Sequence, residues 1–203
     1  MTTYHEMSKR EAAAALEEFR RERPPARLRL EERLARDGAD PGQMLDGSPE
    51  SLTPLWRWAR ERLTVRAEPQ QEATGPSWLR HGGGGPERLL SDDSIDLLDG
   101  LTSYLCQVVE RGAPDAVWRV GHDRVRNYGW ENHPVLAHGR EEFALGEYVA
   151  PRARQHLRGS RPGLQPVGLP PVQPPDDDYL TVLARSLITK LGGRPGAAAT
   201  VAE

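Results

Sequence analysis

Residues 91–120 have the sequence SDDSIDLLDGLTSYLCQVVERGAPDAVWRV, which joins the clearest helix pattern of the chain to its first strand pattern. Ser91 can cap the helix, and the two aspartates that follow oppose the positive end of the helix dipole. Apolar side chains recur at helical spacing and predict a core seam: Ile95, Leu98, Leu101, Leu105, Val108 and Val109. Gly112 predicts the end of the helix. We therefore expect Leu101 and Leu105 in the main core.

Three short strands are predicted after this helix. Residues 116–120 alternate between apolar and polar side chains, as a half-buried strand does. Residues 134–137 predict a second strand with a proline at its start, where the missing N–H is tolerated. Residues 142–145 predict a third. We expect a small antiparallel sheet packed on the helix that begins at Ser91, and hence a helix-rich α+β fold.

Residues 1–66 predict a helical layer. Ser8 and Glu11 form a capping box that begins the first helix, and the prolines at 24–25 are expected to end it, because proline lacks the N–H donor. A separate helix is then expected over 25–37. A third helix is expected from residue 49 to about residue 66.

Trp56 and Trp58 lie two positions apart in this third helix, so their side chains point about 200° apart around its axis. A single apolar face cannot bury both indoles. Either the helix is covered on two sides or one indole faces a partner, and the sequence leaves both arrangements open.

The remaining segments are predicted from proline, glycine and charge patterns. Residues 67–90 form a loop with four glycines at 82–85. A glycine run can cradle phosphate between a strand and a helix, but no strand pattern precedes this one and no lysine follows, which favours a linker. Further expectations are a helix at the end of 91–158, a Pro-rich connector over 159–177, a helix over 178–192 and a disordered tail over 193–203, with 1–192 as one domain.

Charge is unevenly distributed along the chain. Residues 91–147 hold 11 acidic and 5 basic side chains, a net charge of −6, whereas the chain as a whole has −3. An acidic segment disfavours a nucleic acid partner and favours a basic partner protein, although a solvated acidic face is the alternative.

The sequence also limits the cellular setting and the cofactors. A single cysteine, Cys106, excludes an internal disulfide and suits a reducing compartment. The first nine residues lack the apolar run of a signal peptide, and no stretch approaches the length of a membrane span. We therefore expect a cytoplasmic protein that needs no cofactor.

Several polar clusters could carry chemistry. Three histidines, His122, His133 and His138, could bind a divalent metal if the strands bring them together, but their spacing matches no common metal motif. A solvated hairpin edge is the simpler interpretation, and we expect folding to need no transition metal. Cys106 lies beside the apolar seam, where a thiol behaves as a small hydrophobic group.

Acidic and aromatic side chains offer a binding surface instead. Asp92, Asp96 and Asp99 fall on one face of the long helix, which suits either a basic partner or, more simply, water. Tyr128 and Trp130 lie in the hairpin loop, and these residue types are enriched at interface hot spots. The alternative is that the loop packs back on the N-terminal helices.

Residues 91–151, with Tyr104-Leu105, Trp118-Arg119-Val120 and Asn132 to Leu136, resemble the helix-then-hairpin unit of several uncharacterised bacterial families. These families include some immunity proteins that neutralise toxins. The resemblance implies a protein-binding role and assigns no catalytic residue.

Three function classes remain open. The leading hypothesis is a non-enzymatic binding protein, of the immunity or inhibitor kind, that uses the acidic segment and the loop aromatics against a basic partner. The second is a small enzyme or metal protein with a His, Asp and Glu site around residues 122–142. The third is a homo-oligomeric scaffold assembled through an exposed Trp face.

Overall fold

A computed structural model describes residues 2–72, 74–85, 87–123, 128–165 and 170–194, and it confirms the predicted helix-rich α+β fold. The α-helices are α1 (Lys9–Arg36), α2 (Pro41–Met44), α3 (Leu52–Arg60), α4 (Ser77–His81), α5 (Asp92–Gly112), α6 (Val149–Ser160) and α7 (Tyr179–Lys190). The strands are β1 (Val117–Val120), β2 (Pro134–His138) and β3 (Glu141–Phe143). Single 3-10 turns lie at Tyr4–Glu6, Pro49–Ser51, Leu145–Glu147 and Pro162–Leu164.

The first helix does not end at its prolines, so that prediction is wrong. Helix α1 begins at the predicted capping box and continues through Pro24 and Pro25, and the helix expected over 25–37 is its second half. Both proline rings are exposed, so the carbonyl groups that lose their helical donors can be hydrated. The buried inner face, which includes Ala26 and Leu30, holds both halves in line against α5.

Helix α5 is the centre of the fold. It contacts α1, α6 and α7, and Leu101 and Leu105 are fully buried as predicted. Helices α1 and α5 approach closely at Gly100, where a methyl group would lie 2.8 Å from Leu30 Cβ and 3.1 Å from the Ala26 carbonyl oxygen. Glycine is therefore required for the two helices to cross at this distance.

The sheet has the predicted antiparallel arrangement, in the order β1-β2-β3. Val117 is the register partner of Ala137, and Leu136 is the partner of Phe143. The long helix beneath the sheet is mainly α1 rather than α5, because Trp118 packs on Phe19 with 5.3 Å between the ring centroids. Helix α1 thus lies between the sheet and much of α5.

Both tryptophans of α3 are buried, which decides between the two arrangements that the sequence left open. Trp56 lies edge-on to His156 of α6, with 6.3 Å between ring centroids, and α3 also contacts α7. The Arg62 guanidinium covers Trp58 at 4.5 Å from its ring centroid. The helix ends at Arg60, earlier than predicted, because the chain turns there and Val65 forms a β-bridge with Leu90.

The segments predicted to be irregular are partly ordered. The 67–90 loop contains α4, which the sequence did not indicate. In the connector, residues 170–176 form neither helix nor strand, but a 3-10 turn lies at Pro162–Leu164, and Gln165 exchanges two hydrogen bonds with the backbone of Val172. Residues 166–169 and the tail from 195 onward lie outside the described residues.

We predict that Gly100→Ala destabilises the protein. In an ordinary helix interior alanine is favoured over glycine by about 1 kcal/mol, but overpacking a close helix crossing typically costs about 1–3 kcal/mol. Urea unfolding measures the difference, with Gly84→Ala as control because a methyl group there meets no atom within 4 Å. A gain in stability for Gly100→Ala would contradict the close crossing.

Candidate functional site

The aspartates predicted to bind a partner lie on α5 beside arginines of the same molecule. Asp92 accepts a hydrogen bond from Arg66, and Asp96 Oδ1 lies 2.7 Å from Arg29 Nε. A carboxylate and a guanidinium this close act as a dipole, whose field falls off faster with distance than the field of a single charge. Salt screens what remains of it beyond about a Debye length. Much of the acidic charge predicted for this segment is therefore balanced internally.

Asp99 is buried, with 5% of its side chain exposed. Its Oδ1 accepts hydrogen bonds from Arg23 Nη2 at 2.7 Å and from Trp78 Nε1 at 2.9 Å, and its Oδ2 accepts one from Arg29 Nη2 at 3.1 Å. A buried carboxylate is tolerated only when such donors surround it. The Asp99 carboxylate is thus occupied by internal donors.

The three aspartates nevertheless open onto one cleft of about 350 Å³, which we call the acidic cleft. Glu22 and Arg29 also line it, and its apolar walls come from Pro25, Pro76 and Ile95. Asp92 is 79% exposed and Asp96 is 49% exposed. The hydrogen bond from Arg66 holds the pKa of Asp92 below its ordinary value, so this carboxylate is charged at neutral pH.

Tyr128 is half-buried and its hydroxyl is engaged. The hydroxyl donates to Glu142 Oε2 at 2.6 Å. Burial, and then this contact with Glu142, raise the pKa of Tyr128 above its ordinary value. Glu142 also binds Arg119 of β1, so the hydroxyl belongs to a small network on the sheet.

Trp130 is also half-buried rather than fully exposed. It packs on a small apolar cluster in which Val135 and Ala144 are buried, and its ring centroid lies 5.7 Å from that of His133. Asn132 Nδ2, two residues away, donates to the Met7 carbonyl oxygen at 2.9 Å. The loop therefore folds back toward the N-terminal segment, and only part of the indole can reach a partner.

The three histidines considered as metal ligands are not brought together. His122 is exposed and hydrogen-bonds Glu131 at 2.8 Å, His133 is buried, and His138 is exposed beside Gly192. Across the described part of the chain, no three or more His, Cys, Asp or Glu side chains form a possible metal site.

His133 instead belongs to a titratable cluster that the sequence did not reveal, in which Tyr4 and His133 are buried and Glu147 is partly exposed. Its ring centroid lies 4.5 Å from that of Tyr4, and its Nε2 lies 3.9 Å from Glu147 Oε1. Burial lowers the pKa of His133 from 6.5 to about 4 and raises the pKa of Glu147 from 4.5 to about 7. Between these values both groups are neutral, so their contact is not an ion pair.

Glu147 also borders a cavity of about 50 Å³ beneath the glycine run. Gly82, Gly84 and Arg154 line it, and Arg154 is held by Glu87 with 3.0 Å between Nε and Oε2. A phosphate group does not fit in this volume. The cavity has room for little more than water.

No protein family, curated protein or solved structure matches the chain. None of the helices in the described ranges combines the length and the apolar character needed to cross a bilayer.

We predict that Glu147→Gln changes the pH dependence of stability. Stability contributed by the raised pKa of Glu147 is present below about pH 4.5 and lost as pH rises through 7. His133 has the opposite effect. The stability that its lowered pKa contributes is present above about pH 6.5 and lost as pH falls through 4, and it remains in the variant. From pH 5 to pH 8, the free energy of unfolding of Glu147→Gln should therefore increase by about 1–3 kcal/mol relative to that of the wild type.

Urea unfolding at both pH values measures this gain, with Glu141→Gln as the exposed control. Equal pH profiles for the wild type and Glu147→Gln would show that Glu147 is not desolvated.

Proposed function

We propose that the protein is a non-enzymatic binding protein that receives a basic side chain of a partner protein in the acidic cleft. One observation carries this proposal: the carboxylates of Asp92 and Asp96 are exposed at the rim of a cleft with apolar walls. An arginine or lysine has matching chemistry, because its alkyl stem can lie on apolar surface while its charged end binds a carboxylate.

The internal arginines are compatible with such binding. Arg29 crosses the cleft between Asp96 and Asp99 but remains 44% exposed, so it can rotate toward solvent. Exposed ion pairs contribute only about 0–1 kcal/mol, and exchanging one for an intermolecular pair costs little. Arg29 binds Asp96 through Nε and the buried Asp99 through Nη2. A partner arginine would take the place of Nε at Asp96, while Nη2 keeps its hydrogen bond to Asp99.

An immunity or inhibitor role is the form of this proposal that the resemblance of residues 91–151 favours. Acidic side chains at a rim speed the encounter with a basic protein at low salt, which suits an inhibitor that must find its target quickly. Trp130 and Tyr128 do not line the acidic cleft, so this form of the proposal does not depend on them. Cytoplasmic location belongs to the same proposal.

A second candidate function is acid–base chemistry at Glu147. The observation in its favour is that burial shifts the pKa of Glu147 and the pKa of His133 in opposite directions, as in many catalytic pairs. It ranks second because the adjoining cavity of about 50 Å³ admits no substrate of ordinary size.

The scaffold hypothesis required an exposed tryptophan face, but Trp56 and Trp58 are both buried.

We predict that Asp92→Asn with Asp96→Asn weakens binding of a fluorescent arginine-rich peptide by about tenfold or more, because two charge-assisted contacts are lost. The matched control is Asp115→Asn with Glu141→Gln, which removes the same charge from exposed positions outside the cleft. Equal loss in both double variants would show that only overall charge matters, and the cleft proposal would fail.

The natural partner can then be sought with the same variants. A protein retained from a cell extract by the wild type and by the control, but not by the cleft variant, is the expected result. If the partner that the wild type retains also binds the cleft variant fully, the binding surface lies elsewhere.

A further inference from the structure

A second cleft, of about 320 Å³, lies on the other side of α1, between α5 and β1. We call it the basic cleft, because three arginines line it: Arg20, Arg23 and Arg27. Glu110 is the acidic side chain in its wall. The volume lies at the lower end of the range for small-molecule pockets, roughly 300–1,000 Å³.

Two buried polar atoms of the lining have no hydrogen-bond partner within the described residues: Arg27 Nε and Gln107 Oε1. Arg27 Nε lies 3.3 Å from Glu31 Oε1, but without the geometry of a hydrogen bond. Leaving a buried donor or acceptor unpaired costs about 1–3 kcal/mol each. Both atoms are closed off from the cleft as the side chains stand, but Arg27 and Gln107 line it and would gain partners if they turned toward a ligand there.

The walls define what else the ligand must carry. Pro24 and Trp118 give an apolar and aromatic surface, and the indole N–H of Trp118 is already donated to Glu110. Cys106 is buried at the cleft, and burial raises the pKa of its thiol to about 12. The thiol therefore stays protonated and acts as apolar surface, not as a nucleophile.

The exposed arginines are available for an anion. Arg20 is 53% exposed, and its contact with Glu17 at 3.3 Å is a surface pair between residues three apart on the helix. Arg27 is held equally loosely by Glu31. Arg23, in contrast, is bound to Asp99, which balances its charge, so Arg20 and Arg27 are the arginines left to bind an anion.

We propose that the basic cleft binds a small planar organic anion. Its carboxylate or phosphate group is held by Arg20 and Arg27, and its ring lies against Trp118 and Pro24. An N–H or O–H of the ring donates to Gln107 Oε1 once that side chain turns toward the cleft. This site is independent of the acidic cleft and of the partner proposed for it.

The test uses ligands that separate the ring from the anion. Uridine 5′-monophosphate and indole-3-acetate carry both parts and represent the phosphate and carboxylate sources, whereas uridine and inorganic phosphate each carry one. Isothermal titration of the full chain should show binding of at least one of the first two, and markedly weaker or absent binding of uridine and phosphate. Binding of uridine 5′-monophosphate should change the tryptophan fluorescence of the protein, and Trp118→Phe should remove that change.

Variants locate the binding. Arg20→Gln with Arg27→Gln should weaken it by roughly tenfold or more, and Gln107→Met by severalfold. The matched control is Arg10→Gln with Arg36→Gln, two exposed α1 arginines outside the cleft, which should leave affinity unchanged. No binding of either ring-bearing anion, equal binding of inorganic phosphate, or equal loss in the control would overturn the proposal.

Discussion

The rest of the structure depends on the buried contact between Arg23 of α1 and Asp99 of α5. The side chain of Arg23 binds Asp99 at 2.7 Å, and its backbone carbonyl accepts a hydrogen bond from Ser103, so both parts of Arg23 are tied to α5. Trp78 binds the same carboxylate and thereby fixes α4. Removing one partner of such a pair leaves an uncompensated buried charge, so α1 cannot slide or rotate on α5 without a large penalty.

This contact also separates the two clefts. Arg23 lies in the wall of the basic cleft and Asp99 in the wall of the acidic cleft, so one helix pair carries opposite charge on its two sides. A net charge of −6 over residues 91–147 therefore does not make an open acidic surface. Among the acidic side chains that stay exposed, Asp92 and Asp96 are the ones that line the acidic cleft together with its apolar walls.

Local signals in the sequence predicted most of the elements but not how the helices pack on one another. The cap at Ser91, the apolar seam through Leu101 and Leu105 and the period of the strands all arise within one element, and these predictions were correct. The continuity of α1 through two prolines depends on packing against α5, which no local pattern contains. The same holds for Asp99, which has the spacing of a wet-face residue, and for Glu147 and His133, which meet only in the folded chain.

A double-mutant cycle on Arg23 and Asp99 tests most directly whether this pair fixes α1 on α5. The free energy of unfolding in urea is measured for the wild type, Arg23→Met, Asp99→Leu and the double variant. Each single change should cost about 3–5 kcal/mol, and the double variant should cost at least about 2 kcal/mol less than the sum of the two. Costs that add within about 0.5 kcal/mol would show that the two side chains act independently, which would contradict the central role of this contact.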